Sequence, residues 1–199
     1  MTSATVPAIG LALGALICIG LLPRIFFRRG RLNFQWWLNS IPFWVAGVSL
    51  LGTLAGVVSP VALPAGVPAI AALLSLVLNT LALSLLGWTL ATHQQPLSLW
   101  HQADDEPAHL VMEGPYASVR HPFYSSFLMT LAACALAAPH WSTLAALAYG
   151  AHRLAATAAK EEARFRRSAF GDRYAEYARR TGRFVPRLGA RPRHVSTAS

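Results

Sequence analysis

"HPFYSSFLMTLAACALAAPHWSTLAALAYGAHRLAATAAKEE", residues 121–162, is the stretch on which the fold turns. No residue from Phe123 to Ala138 is charged. Pro139 and His140 then interrupt, and a second apolar run from Trp141 to Ala159 is broken only by His152 and Arg153 in its last third. A transmembrane helix needs roughly 20 apolar residues, within a range of about 17–25. The first run is slightly short of this, and the second is less clean. Proline stops one helix and can start the next, so Pro139 predicts a tight hairpin. His121 and Glu161 lie forty residues apart, with the hairpin going out and back between them. "RHPFY" and "KEEARF" are therefore expected to meet at one interface.

Three more apolar runs precede the hairpin: Val6–Leu22, Ile41–Val58 and Val67–Leu90. Together they predict an all-α integral membrane bundle of five transmembrane helices. Residues 1–90 supply the three N-terminal helices, and 91–199 form a catalytic region of cytoplasmic loop, hairpin 123–159 and tail. Composition agrees, with 54% hydrophobic and only 13% charged residues, where soluble domains carry about 25% charge. A net charge of +9 could suit nucleic acid, but the placement of the charges excludes that partner. Arg24, Arg28, Arg29 and Arg31 follow the first run, Arg120 precedes the fourth, and the other twelve basic residues run from Arg153 to Arg193. Five spans sort these, and all eight acids, to one side. The positive-inside rule then places the N-terminus outside and the C-terminus in the cytoplasm, as expected in a bacterial inner membrane. The first run has no basic segment before it and reads as a retained span rather than a signal peptide. Cys18 and Cys134 lie inside apolar runs and predict no disulfide. His93, His101 and His109 are eight residues apart without cysteine partners, and no metal site is expected.

The chemistry concentrates in "GPYASVRHPFY", Gly114–Tyr124. Gly114-Pro115 reads as a turn that points Tyr116 inward. Pro122 suits the first turn of the following helix. His121 and Tyr124, three apart, share a helix face, and Glu161 and Glu162 stand across the hairpin. Each residue alone has an ordinary reading. Arg120 anchors a lipid phosphate, Tyr116 and Tyr124 belong to an aromatic belt, the Glu pair begins a solvated segment, and His152 and Arg153 snorkel. Together they form two walls of a pocket, where ionisable groups at a membrane interface point to function.

"GPYASVRHPFY", a hairpin, and then "EE…FGDRYAEYARRTGRFVP" resemble the isoprenylcysteine carboxyl methyltransferase family and its phospholipid and thiol methyltransferase relatives, over about residues 105–188. The resemblance implies S-adenosyl-L-methionine as methyl donor at the cytoplasmic face and no metal. It places that cofactor against Ala108, His109, Leu110, Val111, Tyr116, His121, Pro122, Phe123 and Tyr124, with Glu161 meeting its positive charge. It implies a lipophilic or thiol methyl acceptor, oriented or activated by Arg153 or Arg120. Glu162 is expected only to brace its helix. Asp172–Arg183 is expected to be a helix whose Tyr174 and Tyr177 cover the site. Ser126 stands where the family often has glycine. Thr157 stands where isoprenylcysteine enzymes keep an arginine for the substrate carboxylate, which threonine cannot bind bidentately. An acceptor without a carboxylate follows. Two other classes stay open: a membrane NADPH-dependent reductase of the sterol-reductase kind, which has a similar "RHP-x-Y" element, and a non-enzymatic scaffold whose arginine tail binds anionic lipid.

Overall fold

The computed structural model describes residues 2–22, 27–28, 31–32, 34–92 and 110–187. Helices stand at all five apolar runs: α1 (Thr5–Gly20), α2 (Phe34–Leu54), α3 (Val67–Thr92), α4 (Pro122–Ala137) and α5 (Trp141–Arg167). A short amphipathic helix, α6 (Gly171–Arg180), follows. The departure from the helix-only expectation is a small antiparallel ladder, β1 (Phe27–Arg28) with β2 (Arg31–Leu32), in the basic loop after α1.

Two helices are long and apolar enough to cross a membrane, Trp36–Leu54 within α2 and Val67–Thr92. The helices α1 and α4 have 16 residues each, which rise about 24 Å. The second helix starts at Phe34 rather than Ile41, because "FQWWLNS" carries no charge and its aromatics continue the helix. The fifth does not stop at Ala159 but continues to Arg167. Ala158 and Glu162 extend its buried stripe at i, i+4 after Leu154.

Helix α4 lies at the centre, packed against α1, α2, α3 and α5. Small side chains let the helices approach closely: Ala8, Ala12 and Ala15 of α1, Ala72 of α3, and Ala133 and Ala137 of α4 are buried. The Ser75 hydroxyl of α3 donates to the Ala133 carbonyl of α4 at 2.8 Å. Large apolar groups face outward instead: Val48 and Trp44 of α2 are 67% and 57% exposed, and Leu74, Val77 and Trp88 of α3 are more than half exposed. Surfaces of this kind mark contact with lipid or with another protein.

Pro139 and His140 close the hairpin. His140 caps α5 through a reciprocal box with Thr143, and the Val61 N–H from the α2–α3 loop donates to the Pro139 carbonyl at 2.7 Å. At the opposite end, Gly114–Ala117 form a 3-10 turn. Gly114 has φ +56, and a Cβ there would run into the Thr92 side chain. Both conditions demand glycine.

Candidate functional site

Pro122 occupies the first turn of α4, where its missing N–H leaves no bond unmade. This puts His121 immediately before the helix and Tyr124 on its first turn. Their rings lie parallel, 3° apart, with centroids at 5.4 Å. Across the hairpin, α5 presents Glu161 and Glu162. Adjacent helical residues point about 100° apart, and the two carboxylates have different surroundings.

Glu161 keeps 31% of its side chain exposed. Its Oε1 accepts the Tyr124 hydroxyl at 2.6 Å, and its Oε2 lies 3.4 Å from His121 Nδ1. Glu162 is 1% exposed. Arg183 grips it with two bonds, Nε to Oε1 at 3.0 Å and Nη2 to Oε2 at 2.7 Å. Arg120 Nε donates to Oε1 at 3.1 Å, and His121 Nε2 lies 3.4 Å from the same atom. Arg166 stands at 3.6 Å.

The electrostatics follow. Burial by itself would raise the pKa of Glu162, but His121, Arg183 and Arg120 outweigh it and hold the carboxyl well below the usual range. Burial by itself would lower the pKa of His121, but the two glutamates overcome it and raise the ring above its ordinary 6.5. Burial, assisted by Glu161, also pushes the Tyr116 hydroxyl up. The site thus places the His121 imidazole between two carboxylates, one sealed and one reachable.

The tail closes over this end. Tyr174 and Tyr177 of α6 are buried at 2% and 8%. The Tyr177 hydroxyl donates to the Tyr116 carbonyl at 2.7 Å, and Tyr174 stacks on Phe165 at 5.2 Å. The helix ends at Arg180, not Arg183, because Gly182 turns the chain so tightly that a Cβ there would collide with the Val185 carbonyl. Residues 181–187 form a strap alongside the approach to α4. Arg120 N–H donates to the Gly182 carbonyl at 2.8 Å, His121 N–H to the Arg183 carbonyl at 3.1 Å, and Gly182 N–H to the Ser118 carbonyl at 3.2 Å. The Ser125 hydroxyl donates to the Phe184 carbonyl at 2.6 Å.

The structure therefore brings together Tyr116, His121, Pro122, Tyr124 and Glu161. Phe123 turns into an apolar cluster with Leu86, Phe127 and Leu154. Leu110 and Val111 are half-buried on the way into the 3-10 turn, while Ala108 and His109 lie outside the described residues. Arg120 is engaged by Glu162 and by the Ala178 and Thr181 carbonyls. Arg153 stands two turns before Glu161, and its Nε donates to Asn39 Oδ1 of α2 at 3.0 Å. The Thr157 hydroxyl bonds back to the Arg153 carbonyl at 2.9 Å. The sequence reading missed Arg183, Phe184, Ser125 and Asn39. For the strap a signal existed, since glycine followed by proline in "RTGRFVP" is a helix-stop pattern. For Ser125 and Asn39 there was none.

Fold and site define a helical bundle of apolar surface with a buried ion-paired cluster at one end. No family model matches the chain. It is 34% identical over 108 residues to the cobalt-zinc-cadmium resistance protein CzcN of Cupriavidus metallidurans, a match covering 54% of this chain and 50% of that protein. The matched stretch thus spans about half the length of that relative.

Proposed function

We propose that the protein is an integral membrane methyltransferase that uses S-adenosyl-L-methionine to methylate a lipophilic or small-thiol acceptor at the cytoplasmic face. One observation carries the reading: the partly exposed Glu161 carboxylate, oriented by the Tyr124 hydroxyl at 2.6 Å and by His121 at 3.4 Å, stands at the end of an apolar helix bundle. The cofactor supplies a methyl group on a sulfonium and also carries an ammonium. A carboxylate held in a fixed orientation beside an apolar bundle suits such a cation. Tyr116 and Tyr124 offer aromatic walls to its adenine. The residues hold donor and acceptor in line, and orientation does most of the work in such a displacement.

Arg120 is spent on Glu162 and the tail, which leaves Arg153 to orient the acceptor. Thr157 supplies no cation, and Arg153 already donates to Asn39. The absence of a cation at Thr157 favours an acceptor that is neutral or weakly polar. The outward apolar surface of α2 and α3 suits insertion in a bilayer, with the N-terminus outside by the positive-inside rule.

The test is calorimetric titration of purified protein with S-adenosyl-L-methionine and, in parallel, with NADPH, followed by a labelled-methyl assay on a panel of lipids and thiols. Binding of NADPH alone points to a reductase, and binding of neither to a scaffold. The match to CzcN favours a second reading, a part in resistance to cobalt, zinc or cadmium. Growth of a metal-sensitive host expressing the chain, compared with the Glu161→Gln variant, tests whether such a role depends on the same site.

A further inference from the structure

Glu162 is buried and held by three arginines and the His121 ring, and the proposed reaction leaves it without a task. We propose that Glu162 is a positioning residue: it latches the strap 181–187 beside the start of α4 and thereby fixes His121, which in turn orients the Glu161 carboxylate. The inference rests on the methyltransferase reading for the identity of the ligand, and on geometry alone for the latch.

His121 is the shared element. Its N–H binds the strap at the Arg183 carbonyl, 3.1 Å away. Its ring lies 3.4 Å from a carboxylate oxygen on either side, and 6.0 Å from the Phe184 ring of the strap. Arg183 joins strap to Glu162 through two bonds. A strap that lifts takes away the backbone anchor and the aromatic neighbour of His121 together, and removes the fork that holds Glu162. The imidazole is then free to turn off Glu161, which still accepts the Tyr124 hydroxyl. By linkage, a ligand that needs an oriented Glu161 must in turn hold the strap down.

Three readouts test this on the full-length protein in detergent: chymotryptic cleavage after Phe184, affinity for S-adenosyl-L-methionine, and titration of the His121 ring followed by nuclear magnetic resonance. Arg183→Gln is expected to speed cleavage and weaken affinity, each about tenfold, the usual effect of losing a hydrogen bond to a charged group. It is expected to return the His121 titration toward its ordinary range, while Arg183→Lys recovers part of each change. Ser125→Ala, which touches neither carboxylate, is expected to loosen the strap to a lesser degree. Unchanged helical content shows that the variants fold. Unchanged cleavage in Arg183→Gln overturns the latch, and faster cleavage with an unmoved His121 titration overturns the positioning role. A wild type that binds no S-adenosyl-L-methionine overturns the methyltransferase reading instead, and leaves the latch to be decided by cleavage and titration.

Discussion

Two neighbouring glutamates on one helix end up in opposite conditions, and the difference predicts opposite mutant behaviour. Glu161→Gln and His121→Ala are expected to weaken S-adenosyl-L-methionine binding by about 1–3 kcal/mol each, the value of a hydrogen bond to a charged group, as read by calorimetry. Glu162→Ala is expected to destabilise the fold itself by about 3 kcal/mol in chemical unfolding, toward the low end for a broken buried pair because Arg166 and Arg183 keep contact with water. The pH dependence has two sides. His121 titrates above its ordinary 6.5, so its contribution is complete below that value and is lost as pH rises through the raised one. Glu162 titrates below its ordinary 4.5, so its contribution is complete above that value and is lost as pH falls through the lowered one. Melting temperature should therefore decline as pH rises beyond the ordinary 6.5 of His121, and His121→Gln should remove that decline. The sequence identified the glutamate pair, but not which member faces inward. That depends on the rotation of α5 about its axis, which is set by Leu154 and Ala158 packing on α4. Farther up α5, a farnesylcysteine analogue should be a poor substrate for the wild type and a better one for Thr157→Arg. Efficient turnover by the wild type that is abolished in Arg153→Ala would show that Arg153 takes a carboxylate after all.

At the scale of elements, the hairpin was legible because its cause is local: uncharged runs, a proline between them, and forty residues separating His121 from Glu161. The inward packing of Tyr174 and Tyr177 was legible as well, since their spacing of three places both on one face of α6. The strap was not. Its bonds join residues 118–125 to 182–184, and no periodicity encodes such a distant pairing. Gly182 marks the position where the tail leaves its helix. Gly182→Ala forces a methyl group against the Val185 carbonyl, and is expected to release the strap while α6 stays helical. The measurement is faster chymotryptic cleavage after Phe184 with an unaltered circular dichroism spectrum.

For the whole molecule, the central prediction is orientation. A cysteine placed at Ala65, in a Cys18→Ser background that leaves the buried Cys134 as the one native thiol, should react with an impermeant thiol reagent from the outer side. Labelling from the cytoplasm would invert the arrangement and remove the site from the face where S-adenosyl-L-methionine is available. Helix α5 gives this arrangement a further property. It runs unbroken for 27 residues, from the His140 cap at one end to the glutamate pair near the other, a length of about 40 Å. Such a rod acts as a ruler. In the proposed orientation its outer end is tied to the hairpin turn, so the height of Glu161 relative to the lipid headgroups would depend on hydrocarbon thickness. Mismatch costs fractions of a kcal/mol per Å, and a helix anchored at both ends relieves it by tilting. Reconstitution into bilayers of graded acyl length should therefore give turnover that peaks at one thickness, with the glutamate pair submerged in thicker membranes and lifted away from its lipophilic acceptor in thinner ones.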